Sequence, residues 1–130
     1  MKIPKPNFKS QKRLIKKIEN KALILWKEVC FKNYGRKCEI CGGTFRITPH
    51  HYFYRSSVPH LKYEPLNGVI LCCKCHSQLH FRDPKLMEEL IVRERGKKWL
   101  TKLTALKAKP PKFKDIKYYE NLCKKLSKLR

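Results

Sequence analysis

Acidic residues are scarce in this chain: ten Asp and Glu stand against thirty-two Lys and Arg in 130 residues, a formal net charge of +22. So one-sided an excess is not the mixed-sign surface of an ordinary lysine-rich protein, and it favours polyanionic partners. Also missing is any apolar run near the roughly 20 residues that would cross a bilayer, and the first residues lack the apolar stretch of a secretory signal. The expectation is a soluble, intracellular (cytoplasmic) protein. There is no internal repeat, and the apolar residues are divided among several short helical segments, so one domain with a small central core is expected.

The charge is unevenly placed. Residues 1–37 carry twelve basic side chains against two acids, residues 82–130 carry sixteen against six, and residues 38–81 only four against two. Two strongly cationic flanks around a nearly neutral centre suit a polyanion gripped on either side of a chemical site, because each neutralised phosphate releases counterions and adds affinity. Nucleic acid, duplex or branched, is the expected partner.

That centre holds the chemistry. Seven cysteines are an odd number, and four of them fall in two C-x2-C pairs, Cys38/Cys41 and Cys72/Cys75. In a chain without a secretory signal this spacing favours metal over disulfides, and four thiolates can hold one tetrahedral zinc. Such a structural Zn2+ would offset the small apolar core. Two other readings use the same residues: a finger-type site of two cysteines and two histidines, from Cys38, Cys41, His76 and His80, and a zinc-stabilised basic DNA-binding module with no catalysis. Cys30 and Cys123 read as small buried hydrophobes and Cys73 as a neighbour of the ligands.

In chain order, residues 1–9 read as a basic flexible arm. From Ser10 the apolar positions Leu14, Ile15, Ile18, Ala22, Leu25, Trp26 and Val29 recur at helical spacing, predicting a long amphipathic helix that ends near Gly35. Its off-stripe residues Lys12, Arg13, Lys16 and Lys17 are candidate phosphate contacts. Cys38 to Gly43 reads as a zinc knuckle, 44–48 as a short strand leading into His50, and 52–66 as a loop. Asn67-Gly68 reads as a turn signal before a buried strand at 69–71. Helices are expected at 75–81, 84–95 and 97–107, then a break at 109–112 and a last helix with Ile116, Tyr119, Leu122, Cys123 and Leu126 on one side. His76 and His80, four apart, share a helix face and can reach one ion; His50 can supply a third ligand. His51 must point the other way from His50 on a strand, which leaves it available as a base. Asn67, by its side-chain or backbone carbonyl, could accept the Nδ1 proton of His51 and leave Nε2 facing water.

Taken together, Cys38-x2-Cys41, His50-His51, Asn67, Cys72-x2-Cys75-His76 and His80 resemble the HNH endonucleases, also called ββα-metal or His-Me finger nucleases. The resemblance implies a mainly helical α+β fold, in which a ββα-metal core (a β-hairpin plus helix over 38–81) is stapled by a four-cysteine zinc. Basic helices flank it at 10–37 and 82–130. It implies that His51 is the general base for phosphodiester hydrolysis, that Asn67 orients it, and that His50, His76 and His80 hold one catalytic divalent metal. Many relatives carry Asp where this chain has His50, which leaves Mg2+, Mn2+, Ni2+ and Zn2+ open. Arg55, in the loop beside these residues, is the candidate for contacting the scissile or adjacent phosphate. Arg55-Ser56-Ser57 and Leu61 to Asn67 are further similar to phage recombination endonucleases of the NinG/Rap type. That likeness implies a phage or mobile-element enzyme acting in DNA recombination on branched intermediates such as Holliday junctions. With one metal site per chain, cutting both strands takes a homodimer or two visits.

Overall fold

The structure is a computed structural model that describes residues 8–112 and 114–130; all but the last two residues of the expected arm at 1–9 lie outside the described residues. Five α-helices and a two-stranded antiparallel hairpin follow in the order α1 (Phe8–Tyr34), β1 (Thr48–His51), β2 (Gly68–Leu71), α2 (Cys73–Phe81), α3 (Pro84–Arg95), α4 (Lys97–Lys107) and α5 (Ile116–Leu129). The expected mainly helical α+β class is what is found. No described helix is long and apolar enough to cross a membrane.

The hairpin is the partition between two apolar clusters. All four residues of β2 are buried, and the two-residue period of a strand sends them to opposite sides. Val69 and Leu71 join Cys38, Cys72, Cys75, Leu79, Met87, Ile91, Trp99 and Leu103, so one cluster combines the cysteine knuckles with α2, α3 and α4. Ile70 joins Ala22, Leu25, Trp26, Val29, Tyr63, Tyr119, Cys123 and Leu126, so the other lies between α1 and α5. Burial on both faces explains why β2 reads as an unbroken apolar run. Pro49 sits in β1 opposite Ile70, a position open to proline because each strand of a two-stranded sheet has a free edge.

The helices start and stop where their side chains dictate. Asp83 and Asp115 accept the backbone N–H of Leu86 and Tyr118 and cap α3 and α5. Gly35, at φ 84°, closes α1 with its amide on the Phe31 carbonyl, the left-handed position that glycine fills without a Cβ penalty. Lys32 donates to the carbonyls of Leu129 and Arg130, tying the end of α5 to α1.

The 44–48 stretch departs from expectation. Residues 45–46 form a turn with Arg46 at φ 48°, and the strand starts only at Thr48. The pairing Thr48↔Leu71 to His51↔Gly68 places both histidines inside the strand, because hydrogen bonding to β2 decides where extended structure begins. Asn67-Gly68 is no left-handed turn either: Gly68 is extended, at φ −88° and ψ 135°, after a short 3-10 helix at Pro65–Asn67.

Candidate nucleic-acid cleavage site

Two knuckles meet at the first site. Gly42, at φ 74°, turns the chain between Cys41 and Gly43, and the Gly43 amide points at Cys41 Sγ, 3.4 Å away. At the start of α2 the Cys75 amide lies 3.5 Å from Cys72 Sγ. The sulfurs of Cys38, Cys41, Cys72 and Cys75 all lie within 4.8 Å of one another, with Cys41 and Cys72 at 3.5 Å. A tetrahedral Zn–S distance of about 2.3 Å puts sulfurs about 3.8 Å apart, so the four thiols fit a structural zinc. Burial would raise the Cys38 thiol, but the amides of Cys41, Cys72 and Ile40 outweigh it and bring it down to about 7, whereas burial and the neighbouring thiols push Cys75 up, so of these two Cys38 is the one poised as a thiolate. Among the described residues this is the one group of three or more donors that already converges. The four-cysteine set, not the mixed cysteine–histidine set, is therefore the ready metal site.

Glu39, between the first two cysteines, anchors the knuckle. Its carboxylate accepts from the Ile70 amide at 2.6 Å and pairs with Arg95 at the end of α3. Arg95 also donates to the Gly68 carbonyl and lies 3.4 Å above the Tyr34 ring. One largely buried ion pair thus joins the knuckle, β2, α3 and the end of α1.

The histidines line a cleft of about 600 Å³ beyond the hairpin. Strand alternation sends the neighbours apart, as expected: His50 stacks on His76 of α2 at 3.7 Å, while His51 stacks flat on Trp26 of α1 at 4.3 Å and 2°. His80, one turn after His76, meets it edge-on at 4.4 Å and lies beside Tyr54. His50 Nε2 is buried with no hydrogen-bond partner. Burial, and then the nearby His76 and His80, push His50 down to about 3, and burial likewise lowers His76. Both are therefore neutral donors at physiological pH, and the orphaned nitrogen fits a metal-ligand role. The stacked rings do not converge on one point as the four sulfurs do.

His51 is held differently from expectation. Its Nε2 lies 2.7 Å from the Lys62 carbonyl, which only accepts, so Nε2 carries the proton and the neutral ring keeps its lone pair on Nδ1. Burial lowers its pKa, the Lys62 carbonyl opposes that, and the charges of Arg55, Lys62 and Lys27 add to the lowering. Asn67 makes none of these contacts. It is fully buried, its Oδ1 accepts from the Phe53 amide, and its Nδ2 donates to the Phe53 and Leu61 carbonyls. Its own carbonyl takes the Tyr52 amide. Asn67 therefore ties the two ends of the 52–67 loop together, and the orientation of His51 falls to Trp26 and Lys62.

That loop is clamped from both sides. Trp26 Nε1 donates to the Glu64 carbonyl and Trp99 Nε1 to the Leu66 carbonyl, each at 2.8 Å. Arg55 is exposed on it and borders the histidine cleft with Ser56 and with Lys27 of α1. Lys12, Arg13, Lys16 and Lys17 are exposed on the first half of α1. At 100° per residue, Lys12, Arg13 and Lys16 fall within about 60° of Lys27 and Lys17 within about 80°. His60 is not in the cleft; its Nε2 is 3.1 Å from the Leu106 carbonyl. Sequence reasoning missed Trp26, Lys62 and Lys27: the tryptophan reads as one more core position of α1, and a main-chain carbonyl leaves no trace in residue identity.

No curated protein and no solved structure matches the chain. Residues 38–82, about a third of its length, match the family model described as HNH endonuclease. This segment holds both knuckles, the hairpin and α2 with its two histidines, and in it the chain resembles the HNH endonucleases.

Proposed function

We propose that this protein is a metal-dependent HNH-type DNA endonuclease with His51 as general base. The observation that carries the reading is the state of His51. Stacked on Trp26 and bonded through Nε2 to Lys62, it offers Nδ1 as an acceptor at a cleft lined by three other histidines and two cations. His51 Nδ1 takes a proton from water, the water oxygen bonds to phosphorus in line, and the bond to the leaving 3′ oxygen breaks. Arg55 contacts a phosphate oxygen and offsets the charge that grows on it. His50, His76 and His80 are the residues that would hold a catalytic divalent ion, supported by the orphaned His50 nitrogen; when bound, such an ion supplies charge stabilisation at the reacting phosphate. Cys38, Cys41, Cys72 and Cys75 hold a structural zinc that fixes α2 to the hairpin.

The exposed lysines and Arg13 on α1 form a cationic stripe that runs about 27 Å from Lys9 to Lys27, at 1.5 Å per residue. It leads to the cleft and suits the backbone of DNA entering it. Branched recombination intermediates such as Holliday junctions are the substrates favoured by the likeness of the 55–67 loop to phage recombination endonucleases, with two chains or two visits for two cuts.

The test is cleavage of labelled duplex, nicked duplex and four-way junction with Mg2+, Mn2+, Ni2+ or Zn2+ supplied separately, beside His51→Ala. Loss of about 10²–10⁴-fold in rate with DNA binding retained supports the base assignment; undiminished cutting by His51→Ala refutes it. The stacking of His50 on His76 favours a second reading, a zinc-stabilised DNA-binding protein without catalysis. Metal content separates the two: one zinc per chain, unchanged by His76→Ala, marks the binding module, and a second metal lost with His76→Ala marks the enzyme.

A further inference from the structure

A second cavity, of about 330 Å³, adjoins the histidine cleft and shares Arg55 and Ser56 with it. Its walls come from α1, the 55–63 loop, Lys114 and the start of α5, so four of its nine lining residues lie outside residues 38–82. Arg55, Lys62 and Lys114 face Glu19 there, a net of two positive charges. Three tyrosines complete the wall. Tyr63 and Tyr119 are buried, and the Tyr63 hydroxyl has no hydrogen-bond partner. Tyr118 is half-buried and packs edge-on against Tyr119, leaving part of its ring toward the cavity.

We propose that this cavity binds an unpaired nucleotide of the DNA strand next to the scissile phosphate, its phosphate held by Arg55, Lys62 and Lys114 and its base stacked on Tyr118. The inference rests on the nuclease reading and deepens it by naming the feature of the substrate that is selected. A strand crossing Arg55 and Ser56 passes from one concavity into the other, so the two hold neighbouring parts of one backbone. A base inside a duplex is stacked on its neighbours and cannot enter a recess of this size; one that is already unpaired enters without the cost of unstacking. Aromatic stacking accepts any base, while cations on the backbone add affinity without sequence preference. The cavity therefore selects DNA structure, not DNA sequence, and favours bulges, flaps and branch points.

The test uses His51→Ala protein, zinc-replete, and fluorescence anisotropy at fixed salt. Three DNAs are compared: a perfect duplex, the same duplex with a one-nucleotide bulge, and that bulge with an abasic sugar. The base-containing bulge is expected to bind about tenfold tighter than the abasic one. Tyr118→Ala makes the two equal, Tyr118→Phe keeps the difference, and Lys114→Ala weakens both bulges alike and the perfect duplex less. Equal affinity for the two bulges, or a preference undiminished in Tyr118→Ala, overturns the subsite. Cleavage by the parent protein with no base preference sinks the subsite and leaves the nuclease standing, whereas failure to bind any DNA sinks both.

Discussion

Replacing Gly68 by Ala tests how the two apolar clusters fix the site. A Cβ built on Gly68 would lie 2.3 Å from Cys30 Sγ, 3.1 Å from Trp26 Cζ2 and 3.3 Å from the Pro65 carbonyl oxygen. The first contact is impossible as it stands. Cys30 is wholly buried, so its sulfur has little room to swing away, and overpacking of this kind costs about 2–3 kcal/mol. Cys30→Ala by itself removes one buried sulfur and costs about 1 kcal/mol. In the double variant the new methyl takes the space of the lost sulfur. Gly68 is extended at φ −88°, a conformation open to alanine, so the stiffer unfolded chain returns about 0.4–1 kcal/mol. The double variant should stand within about 1 kcal/mol of the parent, a coupling of about 2–3 kcal/mol in the stabilising direction. Urea unfolding of all four proteins in zinc-containing buffer measures it. Because Trp26 carries His51, Gly68→Ala should also slow any cleavage, and the double variant should recover it. A neutral Gly68→Ala, or losses that simply add, would refute the packing account.

Further expectations follow from the same contacts. Cys41→Ser should abolish stoichiometric zinc, read by elemental analysis, and lower the melting temperature steeply, since a structural zinc contributes about 10–16 kcal/mol of apparent binding free energy; a metal-free variant with the parental melting temperature would end the structural-zinc assignment. Asn67→Ala removes three hydrogen bonds from a buried side chain and should cost about 2–4 kcal/mol, with hydrogen exchange rising at the amides of Tyr52 and Phe53. Burial pushes the Cys30 thiol up to about 12, so at pH 8 about one in ten thousand is thiolate. Iodoacetamide should modify exposed Cys73 and spare Cys30, as peptide mass mapping will show. The folded thiol is the weaker acid, so its contribution to stability is whole below pH 9 and declines as pH rises toward 12. Replacing Lys12, Arg13, Lys16 and Lys17 together by Ala should flatten the log–log salt dependence of DNA binding by about 2–4 units; an unchanged slope would remove α1 from the interface.

The local grammar of the chain places most elements. Apolar residues three and four apart, with Gly35 as a stop, predict five helices close to where they are found, because helix signals are short-range. The knuckles are legible for the same reason: C-x2-C brings two thiols to one ion within a single turn. The 44–48 stretch is not legible, since alternation is weak there and only pairing with β2 decides which residues extend. Gly68 reads as a turn residue in sequence, but its lack of a side chain answers to Cys30 and Trp26, thirty-eight and forty-two positions away.

Sequence by itself determined the chemistry on offer: which side chains are able to bind metal, which carry charge, and which histidines fall on opposite sides of a strand. Only the tertiary structure decided how that chemistry is held. It set Trp26 flat on His51, gave the Nε2 proton to the carbonyl of Lys62, and withdrew Asn67 into the 52–67 loop. Those assignments depend on main-chain atoms and on contacts between distant segments, and neither is written in the identity or spacing of neighbouring residues.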